Sequence, residues 1–510
     1  MGSKSFKTFP NEIFNVYANC DKDGYYDVSN HPFNGVSGDE LVRNDRLVNC
    51  TFNIISPTYI YTSDGTLHVI GYGSRIFKKL SFGFKFDKKF LGRKSIKLRA
   101  MPNDPSYIRE KLSTELFRSV GVPVQEGVYS RLFINGDSYG LYYLIDSLSS
   151  KWIKSCIHGD AKAKIGISYQ MVSSQPDGPY SDLRYKGEDV RSPYILDEYE
   201  EEDFVSGDEK SKWKYLINFT KKYDQWVKTY GKDTSDKAVD ELKNFLNIES
   251  TLRLMAIESL ILALDNFWLV SSNTVIYYNP ERKNYQFIPF DFDQTLVGSK
   301  GTRTIKKNYM QDCITWAYGD ETIYEHYFTK NLLNHPKIKQ RYDVILAKTI
   351  EDIFNLDTIS SYVHAIADLI KEDVEWSFDL IDQLKIGYDG RVNHFTLEDF
   401  NENIEYNSAS NNTVINDNEH AFGILEWVDK RSNGCRISTS NVDTSKNENI
   451  SDNVNIEVYV ETDISYSIHN FNFNVTIVWI VTQDKLSENY SVVINKESNE
   501  SPQSTHKQAI

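Results

Sequence analysis

No run among the 510 residues reaches the roughly 18–20 apolar side chains that carry a helix across a bilayer, so no membrane-crossing helix is expected. The opening Met1-Gly2-Ser3-Lys4-Ser5-Phe6 lacks the apolar core of a secretory signal and puts Phe where a myristoylation signal wants Ser or Thr. It fits either a cytosolic protein or one whose leader is missing from this sequence. Cysteine is scarce: Cys20, Cys50, Cys156, Cys313 and Cys435 form no CxxC pair and accompany no histidine cluster, which argues against zinc. Two disulfides with one leftover thiol would suit an oxidising compartment, and five free thiols the cytosol; both stand open. None of the ten histidines sits in HExxH, and no G-x-S-x-G occurs, so hydrolase chemistry has no anchor. Positive charge is short as well, 57 basic against 72 acidic side chains for a net −15. Such a body repels nucleic-acid phosphates and anionic membranes, and it favours basic protein partners.

A hydrophobic content of 40% and 33 tyrosines describe a folded, strand-leaning protein of about two to four domains at roughly 100–200 residues each. Sequons at Asn49, Asn218, Asn411, Asn449, Asn474, Asn489 and Asn499 suit a glycoprotein surface, and equally the chance yield of a chain so rich in Asn, Ser and Thr.

Along the chain, residues 1–60 alternate short apolar runs with Asn, Asp and Gly clusters and read as a β-rich segment. Leu67 to Phe86 reads as a strand, a glycine turn and a return strand, followed by a strand at Ser95–Arg99. Asp104-Pro105-Ser106 then opens a helix over Tyr107–Val120 that stops at Gly121. Asn135-Gly136-Asp137 marks a hairpin between strands at 127–134 and 140–145. Residues 165–210, ending in the acidic run from Asp197 to Asp203, read as a surface excursion. Helices resume near Lys212, and Ile248–Asp265 is the most apolar of them, a core helix. More helix is expected between about 321 and 384, with a short one near Ala421–Arg431. Residues 436–510 form an Asn- and Ser-rich segment with strands at Val454–Val460 and Phe473–Val481, and a disordered end at 497–510.

Chemistry concentrates in LDNFWLVSSNTVIYYNPERKNYQFIPFDFD, Leu264–Asp293. It sets a carboxylate at a helix end, then a hairpin, then two more carboxylates. If the chain reverses about Arg282, Asn273 faces Asp291 across the hairpin. An amide oxygen beside a carboxylate suits a hard cation such as magnesium, which takes few protein oxygens and completes its shell with phosphates and water. Asp265 is then placed to accept a proton from an attacking hydroxyl. This is kinase logic without an HRD or DFG motif; a plain strand-ending turn is the alternative. Gly71, Gly73 and Ser74 lie where backbone N–H groups approach phosphates, though an ordinary hairpin turn is the commoner reading. Lys97 and Arg99 share one strand face by period two. A helical wheel over the following helix puts Arg109 in the apolar face and Glu115 on its edge, with Glu110 pointing away, so geometry favours Glu115 as the acid that holds a basic residue in place.

The blocks GYGSRIFKKLSF, IKLRAMPNDPSYIREKLSTELFRSVGVPVQEGVYSRLFINGDSYGLYYLID and ESLILALDNFWLVSSNTVIYYNPERKNYQFIPFDFDQTLVG resemble the CotH family of spore-coat-type kinases and related fungal surface proteins. The resemblance covers roughly residues 60–435. It implies an α+β, atypical protein-kinase-like two-lobed fold over 61–435, with lobes at 61–150 and 151–435 and extra β-rich segments at both ends. It also implies ATP and magnesium as cofactors and Ser or Thr of a protein substrate as acceptor. By resemblance Asp265 is the catalytic Asp, Asn273 and Asp291 are the metal pair, and Asp293 is a further metal or structural carboxylate. The family's Arg-Glu-Lys run matches Arg109, Glu110 and Lys111, and its strand motif favours Arg99 over Lys97 for the nucleotide. The D-x-F-W and Y-Y-N-P wording resembles the fungal branch, some of whose members are surface invasins. That implies the alternative of a receptor-binding protein with weak or no catalysis. The receptor-binding stretch would fall at about Tyr169–Tyr185, whose wording departs from the invasin peptide.

Overall fold

The computed structural model describes residues 6–37, 40–173, 178–188, 193–200, 208–297, 310–318, 325–406, 422–445 and 450, with the backbone of further strands between 458 and 496. Contacts divide the chain into two units, 1–455 and 456–510.

The first unit begins with β1 (Phe14–Cys20), α1 (Lys22–Asn30), β2 (Phe33–Ser37), β3 (Glu40–Arg43), β4 (Val48–Ile55), β5 (Ile60–Val69), β6 (Phe82–Phe90) and β7 (Arg93–Arg99). Then come α2 (Arg109–Ser119), β8 (Gly127–Ile134) and β9 (Asp137–Asp146). β1 and β4 bury every second residue, as strands with one face on a core must. Seven strands close into a barrel in the order β1-β4-β5-β6-β7-β9-β8, sealed by the parallel pair β1–β8. Closure leaves no open edge. Its interior is packed with Phe14, Phe52, Phe82, Phe84, Phe86 and Phe90, and the Phe52 and Phe84 rings lie 4.5 Å apart. The stretch 1–60 thus supplies β1 and β4 to the barrel, where directly opposed Cys20 and Cys50 form a disulfide. The helix α1, which strand-like patterning does not suggest, is capped by the Asp21 carboxylate on the Gly24 N–H at 2.8 Å. The Asn135-Gly136 hairpin forms as its wording indicates, both residues at positive φ.

Next come α3 (Ser150–Trp152), β10 (Ser168–Met171), β11 (Ile195–Leu196), α4 (Glu209–Tyr230), α5 (Asp236–Lys243), α6 (Ile248–Ile261), α7 (Phe267–Val270), β12 (Thr274–Asn279) and β13 (Asn284–Pro289). They are followed by α8 (Tyr327–Asn334), α9 (Pro336–Asp352), α10 (Leu356–Asp379), α11 (Leu397–Glu402) and α12 (Ile424–Ser438). Every residue of α6 except Arg253 is buried, as an apolar helix surrounded by other helices requires. Its buried Glu249 is matched by Arg253 and Arg341. The strands order as β11-β10-β12-β13, so the stretch read as a surface excursion contributes two strands of this sheet. Within the invasin-like stretch, Tyr169, Met171, Tyr180 and Leu183 are buried, and 174–177 lie outside the described residues. A second disulfide, Cys313–Cys435, ties α12 to the segment before α8, and Cys156 is a free thiol.

The second unit is an antiparallel sheet of β14 (Val458–Ile468), β15 (Phe471–Thr482), β16 (Lys485–Leu486) and β17 (Val492–Lys496), with β15 pairing the other three. The end expected to be disordered, 497–510, lies outside the described residues, as do 454–457 of the strand expected at Val454–Val460.

Candidate active site

The helix α6 ends before Asp265 because Leu262 takes a left-handed φ of +46°. Asp265 therefore stands in the turn between α6 and α7, not at the helix end expected from apolar patterning. The Asn273 Nδ2 donates to the Asp265 carbonyl at 2.9 Å and to its Oδ2 at 3.1 Å. Asn266, fully buried, donates from Nδ2 to the carbonyls of Phe290 at 3.0 Å and Asp291 at 3.3 Å. Two side-chain amides thus pin the Asp265 turn against the exit of β13.

The hairpin register differs by one residue from a reversal about Arg282. Thr274 opposes Pro289, and beyond the ladder the Phe290 N–H donates to the Asn273 carbonyl at 3.0 Å. The cause is the turn: Asn279 Oδ1 accepts from the N–H groups of Glu281 and Arg282, and Lys283 adopts a φ of +55°, leaving four residues in the loop. Asn273 therefore lies opposite Phe290, and the expected facing pair with Asp291 is corrected to a diagonal one. Both Asn273 and Asp291 adopt left-handed φ, +45° and +63°, which takes each chain out of the ladder. Such conformations in non-glycine residues concentrate at functional sites.

Asn273, Asp291, Asp293 and Asp265 share a cleft of about 1100 Å³ with Gly71, Gly73, Ser74, Lys85, Lys97 and Arg99. The glycine turn is held from behind by buried Arg75, which donates to the carbonyls of Gly71 at 2.8 Å, Val69 at 2.7 Å, Pro32 at 2.9 Å and Asn44 at 3.0 Å. Gly71 sits at φ +83°, a conformation that strains any residue with a Cβ. Arg99 pairs with Asp291 and lies 3.7 Å from Glu110 and 3.9 Å from Asp293. Burial works against the Arg99 charge, but the carboxylates of Asp291 and Glu110 outweigh it and hold its pKa well above the usual value. Burial likewise raises Asp291, yet Arg99 dominates and the net shift is downward. Asp293 is pushed well up by burial and by the Asp291 charge. Lys97 is pulled down by burial and by the Arg99 charge beside it.

Three residues placed at the nucleotide site from sequence divide. Glu110 does not itself line the cleft but meets it through Arg99, 3.7 Å away, while its Oε2 accepts the Phe292 N–H at 2.7 Å. Glu115 does not line the cleft; it pairs with Lys111 at 2.8 Å and Arg118 at 3.8 Å. Arg109 is buried among Asp104, Ser106, Asn403 and the Phe422 carbonyl and does not line the cleft, though its partner Asn403 does. The wheel is right to bury Arg109 and to set Glu115 at the edge, but it misjudged Glu110, which is buried, because it assumes a helix with one wet face and α2 is buried on nearly every side. Asn266, Arg75 and Asp197, which lines the cleft from the acidic run, carry no pattern that singles them out.

Asp291, Asp293 and the Asn273 amide oxygen form an all-oxygen donor set suited to a hard cation. Among the described residues no three His, Cys, Asp or Glu side chains converge tightly enough to hold an ion unaided.

A family model described as CotH kinase protein matches residues 67–433. Invasin CotH2 of Rhizopus delemar is 25% identical over 350 residues, covering 67% of this chain and 54% of that protein. Spore coat protein homolog 1 of the same fungus is 27% identical over 345 residues, 66% of this chain and 50% of that protein. Inner spore coat protein H of Bacillus subtilis is 23% identical over 299 residues, 58% of this chain and 74% of that protein. The chain thus spans about half the length of the fungal relatives it matches. A crystal structure of the Helicobacter pylori proinflammatory kinase CtkA covers 59% of this chain and 94% of its own at 10% identity, but a TM-score of 0.20 supports no argument. The family match runs from the barrel through the cleft to the last helix of the first unit, and the chain belongs to the CotH kinase protein family.

Proposed function

We propose that this chain is an atypical protein kinase that transfers phosphate from ATP to Ser or Thr of a protein, with magnesium as its metal. In this reading the fold is kinase-like and two-lobed, the barrel and α2 covering the nucleotide and the sheet of β10–β13 forming the floor. The observation that carries the reading is that Asp265, Asn273, Asp291 and Asp293 line one cleft together with Lys97 and Arg99, with Arg99 paired to Asp291.

Asp265 takes the proton of the acceptor hydroxyl, and the Asn273 amide fixes the carboxylate for that task through the 3.1 Å bond to Oδ2. With its Nδ2 so committed, Asn273 offers its oxygen to the metal beside Asp291 and Asp293. A bound magnesium ion supplies charge neutralisation to the transferred phosphoryl group. Arg99 and Lys97 contact nucleotide phosphates, and Glu110 holds Arg99 in place. Calorimetry with ATP tests this: binding that requires magnesium and is abolished by Asp291→Ala supports the reading. Undiminished transfer by Asp265→Ala overturns it.

A second reading, a surface adhesin binding a host or cell-wall protein, is favoured by the names of the fungal relatives and by exposed apolar side chains at the cleft mouth. Leu47, Tyr72 and Ile76, which line the cleft, are 51%, 50% and 41% exposed. The buried side chains of 169–171 and 180–183 speak against the expected receptor stretch as its binding surface. A cell-surface or spore-coat location is proposed on the relatives' names, and two disulfides agree with an oxidising compartment. Exposed Asn49 and Asn218 are the sequons proposed to carry glycan. Partner capture unaffected by Asp291→Ala, with no ATP binding, would favour this reading over the first.

A further inference from the structure

Two acids are buried in α6, and they are satisfied differently. Glu249 meets two arginines. Glu258, with no accessible surface, makes no salt bridge among the described residues. Its Oε1 accepts the Phe267 N–H at 3.2 Å and its Oε2 the Trp268 N–H at 2.7 Å. Its backbone carbonyl accepts the Ala263 N–H at 3.0 Å. One residue thus closes the turn 263–268 at both ends, with Asp265 between the two attachments.

A carboxylate buried without a counter-cation is costly, and a neutral residue of similar size would pack in a helix core at less expense. Two N–H donors aimed at its two oxygens are what makes this position tolerable. From that turn the restraint extends outward, because Asn266 ties it to the carbonyls of Phe290 and Asp291. We infer that Glu258 is a positioning residue that sets where Asp265 stands relative to Asn273 and Asp291, an assignment that rests on the phosphotransfer reading for its catalytic consequence. It acts through backbone N–H groups and touches neither metal nor substrate. Burial drives its pKa up to about 8 against the pull of the two N–H groups, as expected where no cation offsets desolvation.

The test is Glu258→Gln in the full chain, read by amide hydrogen exchange and by phosphotransfer kinetics. Glutamine keeps size and one acceptor oxygen but turns an NH2 group towards the second N–H. Expected are lost protection in peptides covering 262–271 with the barrel unchanged, unchanged ATP affinity, and kcat lower by on the order of a hundredfold. A variant with wild-type protection over 262–271 overturns the assignment, and so does loss confined to KM. If wild-type protein transfers no phosphate, the kinase reading fails, while the exchange arm still decides whether Glu258 holds the turn. Should Glu258→Gln not fold, Glu258→Asp, which keeps the carboxyl group but loses a methylene of reach, takes its place. Failure of both to fold makes Glu258 a folding residue and overturns the positioning role.

Discussion

Lys79, buried, and Arg99, partly buried, are cations where the barrel meets the helices, and their surroundings oppose one another. The Lys79 ammonium donates to Tyr107 Oη at 3.0 Å, the Leu141 carbonyl at 2.8 Å and Ser377 Oγ at 2.8 Å, all neutral oxygens. Burial lowers its pKa to about 7, and no carboxylate opposes the shift. Arg99 instead faces Asp291, Glu110 and Asp293, which outnumber it. Neutral acceptors satisfy geometry without rewarding charge, so Lys79 serves as a joint between the glycine-bearing connection, β9 and α10. Acids crowded together raise one another's pKa, as the upward shift of Asp293 records, and in the proposed reading a second cation would relieve that crowding.

If the acidic side is the reactive one, Asp265→Ala lowers phosphate transfer by ~10²–10⁴-fold with little change in unfolding midpoint, measured by kinetics and calorimetric melting. Next comes Arg99→Met, which leaves three acids without their guanidinium. A loss is expected in urea unfolding, smaller than the ~3–5 kcal/mol of a fully buried pair because the Arg99 and Asp291 side chains keep 17% and 31% of their surface. Magnesium should return part of that loss by binding the same acids; no metal-dependent recovery would show that they do not share an ion.

Lys79→Met tests the neutral side. It leaves the Leu141 carbonyl unpaired, for an expected cost of ~1–3 kcal/mol. It also changes the pH response. The folded pKa of about 7 lies below the unfolded value, so the unfolded chain binds the proton first. The contribution of Lys79 is therefore fully present only above the unfolded pKa and is lost as pH falls towards 7. Unfolding measured from pH 7 to 10 should show a rise in the wild type that the variant flattens. Smallest is Glu115→Gln, which removes a helical pair with Lys111 worth about 0.5 kcal/mol and should leave ATP affinity unchanged. A loss of nucleotide binding there would restore Glu115 to the cleft.

Much of this architecture was legible in residue order because its causes are local. Alternation marked strands 127–134 and 95–99, Asn135-Gly136 marked a hairpin, and period two put Lys97 and Arg99 on one face of β7, where both line the cleft. The α6 boundary was not legible: the left-handed turn at Leu262 answers to packing and Glu258, and no glycine or proline announces it. Nor was the one-residue register offset, which depends on how Asn279 and Lys283 shape the loop. The exclusion of Arg109 and Glu115 from the cleft required knowing that α2 is enclosed.

Residue order decided most of the strands and helices, α1, β10 and β11 excepted, and brought Asp265, Asn273 and Asp291 within one short stretch of chain, since propensity, capping and hairpin closure act over a few residues. Folding in three dimensions decided which acid meets which base. Arg99 and Asp291 are 192 positions apart, and Glu110 and Phe292 182. Partners so distant in the chain are selected by the cost of burying charge unpaired, which depends on the whole packed interior.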